Sequence, residues 1–227
     1  MMRVAEQLGL PLRPVFEWGG RRKGAGRKRS RSAGSGTHAV RPFHDRHQPV
    51  LVTWKVVRGL PSLRWLPAAR AVGQAIRATT GRYARRSISF RIVHFSLQSD
   101  HLHLLVEAGS KTTLARGLAG LAISIARGFN RAIGRKGKLF AERYHAIALS
   151  TPTAVRNAIV YVLHNHRHHR PSRHWVDECS SGRWFTGWES PLPVPATPTP
   201  VAQPLTWLLG VGWLRHGGPI GFTEGPA

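Results

Sequence analysis

Two imidazoles stand one residue apart in His101-Leu102-His103. If this segment is a strand, residues two apart project to the same face, so both rings point together while Leu102, Leu104 and Val106 point to the other side. Two convergent imidazoles on a rigid strand are half of a divalent-metal site. A chain with 13 histidines also produces such a pair by chance, and the spacing alone leaves both readings open. Tyr161 and Asn165 lie four apart and share one face of a helix, with His164 and His168 flanking it. A phenol beside a bound cation can serve as a nucleophile, its pKa lowered by the charge. The plainer reading is an amphipathic side chain at a core margin, and Asn165 alone reads as a helix C-terminal residue. Nothing in the spacing joins this helix to the strand.

The elements that must position these groups are legible in the periodicity. PVLVTWKVV, from Pro49 to Val57, is β-rich and bounded by Pro and Gly, which predicts a strand. Ser62 to about Thr80 carries helical apolar spacing at Leu63, Leu66, Ala69, Val72 and Ile76, with Ser62 as the expected N-cap and Pro67 in the first turns. Ser87–Leu97 and His101–Glu107 read as strands joined by a short turn at Ser99-Asp100. Lys111–Ile133 is the clearest helix, with a stripe of Leu114, Leu118, Leu121, Ile125, Phe129 and Ile133. His145–Leu149 reads as a short strand. Thr151 to about His168 reads as a helix with Thr151 as N-cap and Pro152 at its first position. The order β-α-β-β-α-β plus one helix predicts an α+β fold: a ferredoxin-like antiparallel sheet with an added C-terminal helix carrying the tyrosine. Helices on one face would leave the other sheet face open for a site.

Composition narrows the partner. Lys and Arg number 34 against 10 Asp and Glu in 227 residues, a formal charge of +24. That imbalance points to a polyanion, with nucleic acid ahead of an anionic membrane surface. Residues 1–46 hold a basic tract with Arg21, Arg22, Lys23, Arg27, Lys28 and Arg29, too poor in apolar groups to offset chain entropy; a disordered arm binding DNA phosphates is expected. Residues 47–170 form the periodic domain, and 171–227 a Pro/Trp-rich C-terminal tail with a polyproline-like stretch from Pro191 to Pro200. Arg127, Arg131 and Arg135 fall at i, i+4 and i+8 of the long helix, opposite its apolar stripe, as a solvated face or a phosphate-contacting one. The run from His164 to Arg170 is expected to be mostly exposed, since adjacent helical residues point to different sides. Trp184-Phe185-Thr186-Gly187-Trp188 would either stack on bases or dock onto the core. A single cysteine, Cys179, excludes an internal disulfide and a Cys-pair zinc site and fits a reducing compartment. No window is long and apolar enough for a membrane span, and no secretory signal is expected. The expected address is cytoplasmic and nucleoid-associated.

From about His47 to His168 the chain resembles the single-tyrosine HUH transposases of insertion sequences, and most of all their REP-associated relatives. Three ordered segments carry the resemblance: FRIVHFSLQSDHLHLLVEA with the His-hydrophobic-His motif; the long helix with Asn130-Arg131, followed by Gly137, Leu139, Phe140, Arg143 and Tyr144; and VRNAIVYVLHNH with the tyrosine and an amide one turn on. Asp100 stands where the family often has Asn, and His166 follows Asn165 where Pro is common. The resemblance implies that His101, His103 and Asn165 ligate Mg²⁺ or Mn²⁺ and that Tyr161 is the nucleophile, with Tyr144 structural; the element pattern puts Tyr83 in a loop away from both motifs. The implied activity is that of a DNA transposase-type endonuclease, cleaving and rejoining single-stranded or hairpin DNA through a 5′-phosphotyrosine. DNA is the implied partner, and a homodimer is admitted, with the tyrosine helix acting within or across subunits. The alternative is a domesticated, non-catalytic nucleic-acid-binding protein. A histidine-triad hydrolase would want a third histidine at Leu105, and a zinc hydrolase an acidic ligand for which only Asp100 and Glu107 qualify.

Overall fold

A computed structural model of the chain describes residues 44–86, 89–166, 176–193 and 195–225. The chain divides into two units, Met1–Ser35 and Gly36–Ala227, and all described residues belong to the second. The basic tract from Arg21 to Arg29 lies outside the described residues.

Four strands, β1 (Val50–Lys55), β2 (Phe90–Leu97), β3 (His101–Ala108) and β4 (His145–Ala148), form one antiparallel sheet in the order β2-β3-β1-β4. The period-2 alternation sorts their side chains. Val52, Trp54, Ile92, Leu102 and Leu104 enter one core with α1 (Leu66–Arg85) and α2 (Lys111–Ala132), whose Leu114, Leu118, Leu121, Ile125 and Phe129 are all buried. The result is a mixed α+β architecture, as the element order predicts.

The second sheet face is covered over half its width. A bulge at Val93 in β2, Leu105 of β3 and α3 (Pro152–His164) build a second core with Phe185, Trp188, Leu209 and Trp213 from the C-terminal residues. α3 is buried on most of its circumference, because the sheet lies on one side and the C-terminal segment on the other. That segment is anchored by polar groups. Arg64 binds Asp177 through two N–H···O contacts of 2.7 Å and donates to the Leu97 carbonyl. Buried Glu107 accepts from the N–H groups of Leu205 and Thr206 and from the Thr206 hydroxyl. Arg156 of α3 pairs with Glu224, just beyond a short terminal helix, α4 (Trp213–Gly217). The expectation of an open second face therefore needs correction: it holds only over β1 and β4, where Lys55, His145 and Ile147 are exposed. None of the helices among the described residues is long and apolar enough to cross a membrane.

Three local expectations also change. α1 begins at Leu66 with Trp65 as N-cap, because Pro67 must occupy the first turn; Ser62 Oγ instead accepts from Arg64 N–H. α2 ends at Ala132, and Gly134 takes a left-handed φ of 66°. Arg135 thus leaves the helical row expected for it and bends back, its N–H donating to Asn130 O. Tyr83 lies in the last turn of α1 rather than in a loop, packed on Phe90.

Candidate functional site

The pairing register sets the site. His103 lies opposite Thr53 of β1, and His101 opposite Lys55, so all four side chains share the second face of the sheet. The His101 and His103 rings are 4.7 Å apart, edge to face. α3 lays Tyr161 against them: its hydroxyl is 3.3 Å from His103 Nε2, and the two rings are 4.9 Å apart. Strand and helix, which no spacing could join, meet here.

Each imidazole has an orienting neighbour on its Nδ1. Thr53 Oγ1 is 3.0 Å from His103 Nδ1, and Asp100 Oδ1 is 2.8 Å from His101 Nδ1. When Nδ1–H donates to these oxygens, each Nε2 carries the lone pair. The Nε2 of His103 then faces Tyr161 as an acceptor, ready for a phenolic proton or a cation. A histidine held by an oxygen acceptor on its far nitrogen is the usual support for an imidazole that ligates a metal. Thr53 carries no sequence signal for this role; only the strand register places it there.

Burial divides the site. His103 is 2% exposed, whereas Asp100 stays in solvent. The hydrogen bond from His101 holds the Asp100 carboxyl below its ordinary range. Burial pushes the Tyr161 phenol above its ordinary pKa of 10, so the resting group is the neutral phenol. Asn165, the C-cap of α3, is buried, and its Nδ2 has no hydrogen-bond partner among the described residues. The orphaned Nδ2 is a donor and asks for an acceptor, so it does not itself point to a cation; the groups here that could ligate one are the Asn165 amide oxygen, one turn from Tyr161, and the two imidazole Nε2 atoms oriented through their Nδ1 neighbours. Among the described residues no group of three or more His, Cys, Asp or Glu is gathered as for a metal.

The remaining expected residues lie apart. Arg127 and Arg131 are exposed on α2, and Arg135 contacts the Lys138 carbonyl. Asn130 Nδ2 donates to Gly137 O at 2.8 Å, clamping the loop after α2, and Gly137 adopts a φ of 112°. Phe140 stacks on Trp54 at 5.0 Å, and Tyr144 meets the same ring edge-on. His164, Asn165 and His166, the residues of the His164–Arg170 run that are described, are buried rather than exposed, and His164 stacks on Trp188. His168 lies outside the described residues.

No family model matches the chain, and no curated protein matches it in sequence. Among solved structures it is similar to a REP-associated tyrosine transposase bound to a REP hairpin, with 16% identity and a TM-score of 0.45 over 58% of this chain and 73% of that one.

Proposed function

We propose that the chain is a metal-dependent DNA transesterase of the transposase type, which cleaves and rejoins single-stranded or hairpin DNA through Tyr161. The observation that carries this reading is the approach of the Tyr161 hydroxyl to His103 Nε2 within a pair of oriented imidazoles. On this reading the sheet is ferredoxin-like and α3 is the added helix that delivers the nucleophile.

The residues divide the work as follows. His101 and His103 through their imidazoles, and Asn165 through its amide, would hold Mg²⁺ or Mn²⁺. When bound, the cation supplies Lewis-acid polarisation of the scissile phosphate. Thr53 and Asp100 fix the imidazole orientation. Tyr161 is kept neutral by burial until its proton leaves, and whatever occupies the His103 Nε2 lone pair decides whether the phenol keeps that proton. The phenolic oxygen then attacks phosphorus, the bond to the 3′ oxygen breaks, and that oxygen takes up a proton. A 5′-phosphotyrosine and a free 3′-hydroxyl result, and the reverse attack rejoins the strand. Two neutral imidazoles and an amide leave the cation's charge for the phosphate. The charge of +24 supplies the long-range attraction to DNA and a nucleoid address.

The test is a covalent-adduct assay on denaturing gels, with labelled single-stranded and hairpin DNA and Mn²⁺. The full chain is expected to form an adduct that Tyr161→Phe and His103→Ala both abolish. An adduct that survives Tyr161→Phe removes the tyrosine from its role. Hairpin binding with no adduct from any variant is the result that favours the non-catalytic alternative.

A further inference from the structure

The open half of the second sheet face has an ordered side-chain grid. Directly opposed residues in antiparallel strands share a face. One row across the sheet is therefore His145–Thr53–His103, the next outward is Lys55–His101, and the next inward is Ile147–Leu51–Leu105. His103 and His101 form its inner border beneath Tyr161, whereas Lys55, His145 and Ile147 are exposed, Ile147 at 47%. The β4 side of the grid is about 10 Å from β3, two strand spacings. The outer edge of β1 also receives the loop after α2: Val57 N–H donates to Leu139 O, and Ala141 N–H to Lys55 O. That loop brings the exposed Lys138 and Arg143 alongside, with Glu142 as the exposed acid among them. Asp100, the other acid at this end, is paired with His101.

We propose that this shelf is the bed for the single-stranded DNA that leads into Tyr161, with Lys55 and His145 donating to backbone phosphates and Ile147 and Leu51 offering apolar contact to a base. The proposal rests on the reading of the site given above and adds to it the path of the strand and two positioning residues. Charge complementarity and continuity with the phenol select this occupant. A backbone threading to the Tyr161 oxygen finds the C-terminal segment across β2 and β3, and, among the described residues, a cation-bearing surface with Lys55, His145 and Ile147 exposed across β1 and β4. Of the grid, Leu105 is a buried member of the second core and Leu51 packs at its margin; Thr53, Lys55, His145 and Ile147 belong to neither core.

The experiment uses the full chain carrying Tyr161→Phe, so that no covalent product forms, and a fluorescein-labelled single-stranded oligonucleotide read by anisotropy over a salt series. Lys55→Gln is expected to weaken binding several-fold and to make the slope of log K against log salt shallower by about 0.7, one phosphate contact on a single strand. Lys55→Arg is expected to restore it. His145→Gln and Ile147→Ser are expected to weaken binding, whereas Arg215→Gln, exposed on α4, leaves it unchanged. Equal losses at Lys55 and Arg215, or no loss at Lys55 and His145, overturn the shelf. So does a dimer in sedimentation that Ile147→Ser splits, since the face would then belong to a second copy. With Tyr161 intact, an inactive parent whose shelf variants still bind more weakly defeats the enzymatic reading and leaves the shelf standing. Adducts formed at parental rate by Lys55→Gln and His145→Gln defeat the shelf and leave the enzyme.

Discussion

Thr53→Val removes one hydroxyl beneath the candidate site and tests how the site is held. Thr53 Oγ1 lies 3.0 Å from the Nδ1 of His103, whose ring is buried. Valine keeps the shape but offers no acceptor. Losing a neutral hydrogen bond of this kind costs about 1 kcal/mol of folding stability. The effect at the site is larger in kind. Without an acceptor on Nδ1, the tautomer carrying hydrogen on Nε2 is no longer disfavoured, and that nitrogen is the one facing Tyr161 and the one proposed to hold the cation. Loss of such an orienting partner lowers metal affinity about 10–100-fold, or about 1.4–2.7 kcal/mol at 25 °C. Calorimetric titration of Mn²⁺ and urea unfolding, run on the parent, Thr53→Val and Thr53→Ser, separate the two effects. Serine is expected to behave like the parent in both. Tyr161→Phe is expected to retain Mn²⁺ affinity while losing the adduct. Parental Mn²⁺ affinity in Thr53→Val, or a serine variant as weak as the valine one, refutes the orienting role.

Three further outcomes follow from the same packing. Burial holds the His94 pKa at about 4 against an ordinary 6.5, so the unfolded chain takes up a proton first as pH falls. Its contribution is present above pH 6.5 and is lost down to pH 4, about 2 kcal/mol of it already by pH 5; unfolding at pH 7 and pH 5 should show that loss shrink in His94→Gln, and an unchanged loss contradicts it. Asp177→Ala strips the carboxylate from Arg64 and is expected to cost about 3 kcal/mol, the lower end for a buried pair because Arg64 is 24% exposed; proteolysis should then cut near residues 176–181 first, and parental thermal stability would count against it. Tyr161 should ionise above pH 10 in a difference titration of parent against Tyr161→Phe with chelator present, and lower when Mn²⁺ is added; a midpoint below 10 with chelator contradicts the burial argument.

What the sequence made legible was what has a period. The alternation in HLHLLVEA placed both histidines on one face, and the Leu/Ile/Phe stripe of α2 is buried as its spacing requires. What it could not show depends on pairs distant in the chain. Thr53 is 50 positions from His103, and only the β1–β3 register brings the hydroxyl beneath the ring. Glu107 is 98 positions from the backbone N–H of Leu205. The C-terminal residues have no period at all, yet Phe185, Trp188, Leu209 and Trp213 share one core with α3. Helical phase alone exposes His164 and His166; a covering segment on the solvent side of the helix buries them. Arg135 failed for a local reason: Gly134 can take a positive φ, and a helix with such an exit stops there.

The half-covered sheet explains why the phenol sits where it does. A tyrosine wholly in water would ionise near 10 and make strong hydrogen bonds to solvent, so a nearby cation would have little leverage on it. A tyrosine wholly buried would meet no DNA. Tyr161 lies at the border, where α3 and the C-terminal segment remove enough water to raise its pKa while β1 and β4 stay open. Charge at the His103 Nε2 position then acts through a medium of lower dielectric than water, where a unit charge is worth several times more. On the proposed function, the cover that disfavours the phenolate in the resting chain is therefore the same cover that would strengthen its response to a cation or phosphate arriving from the open side. Detaching the cover by Asp177→Ala should bring the Tyr161 midpoint back toward 10 and narrow the shift that Mn²⁺ produces. A cover that served stability alone would leave both values where they were.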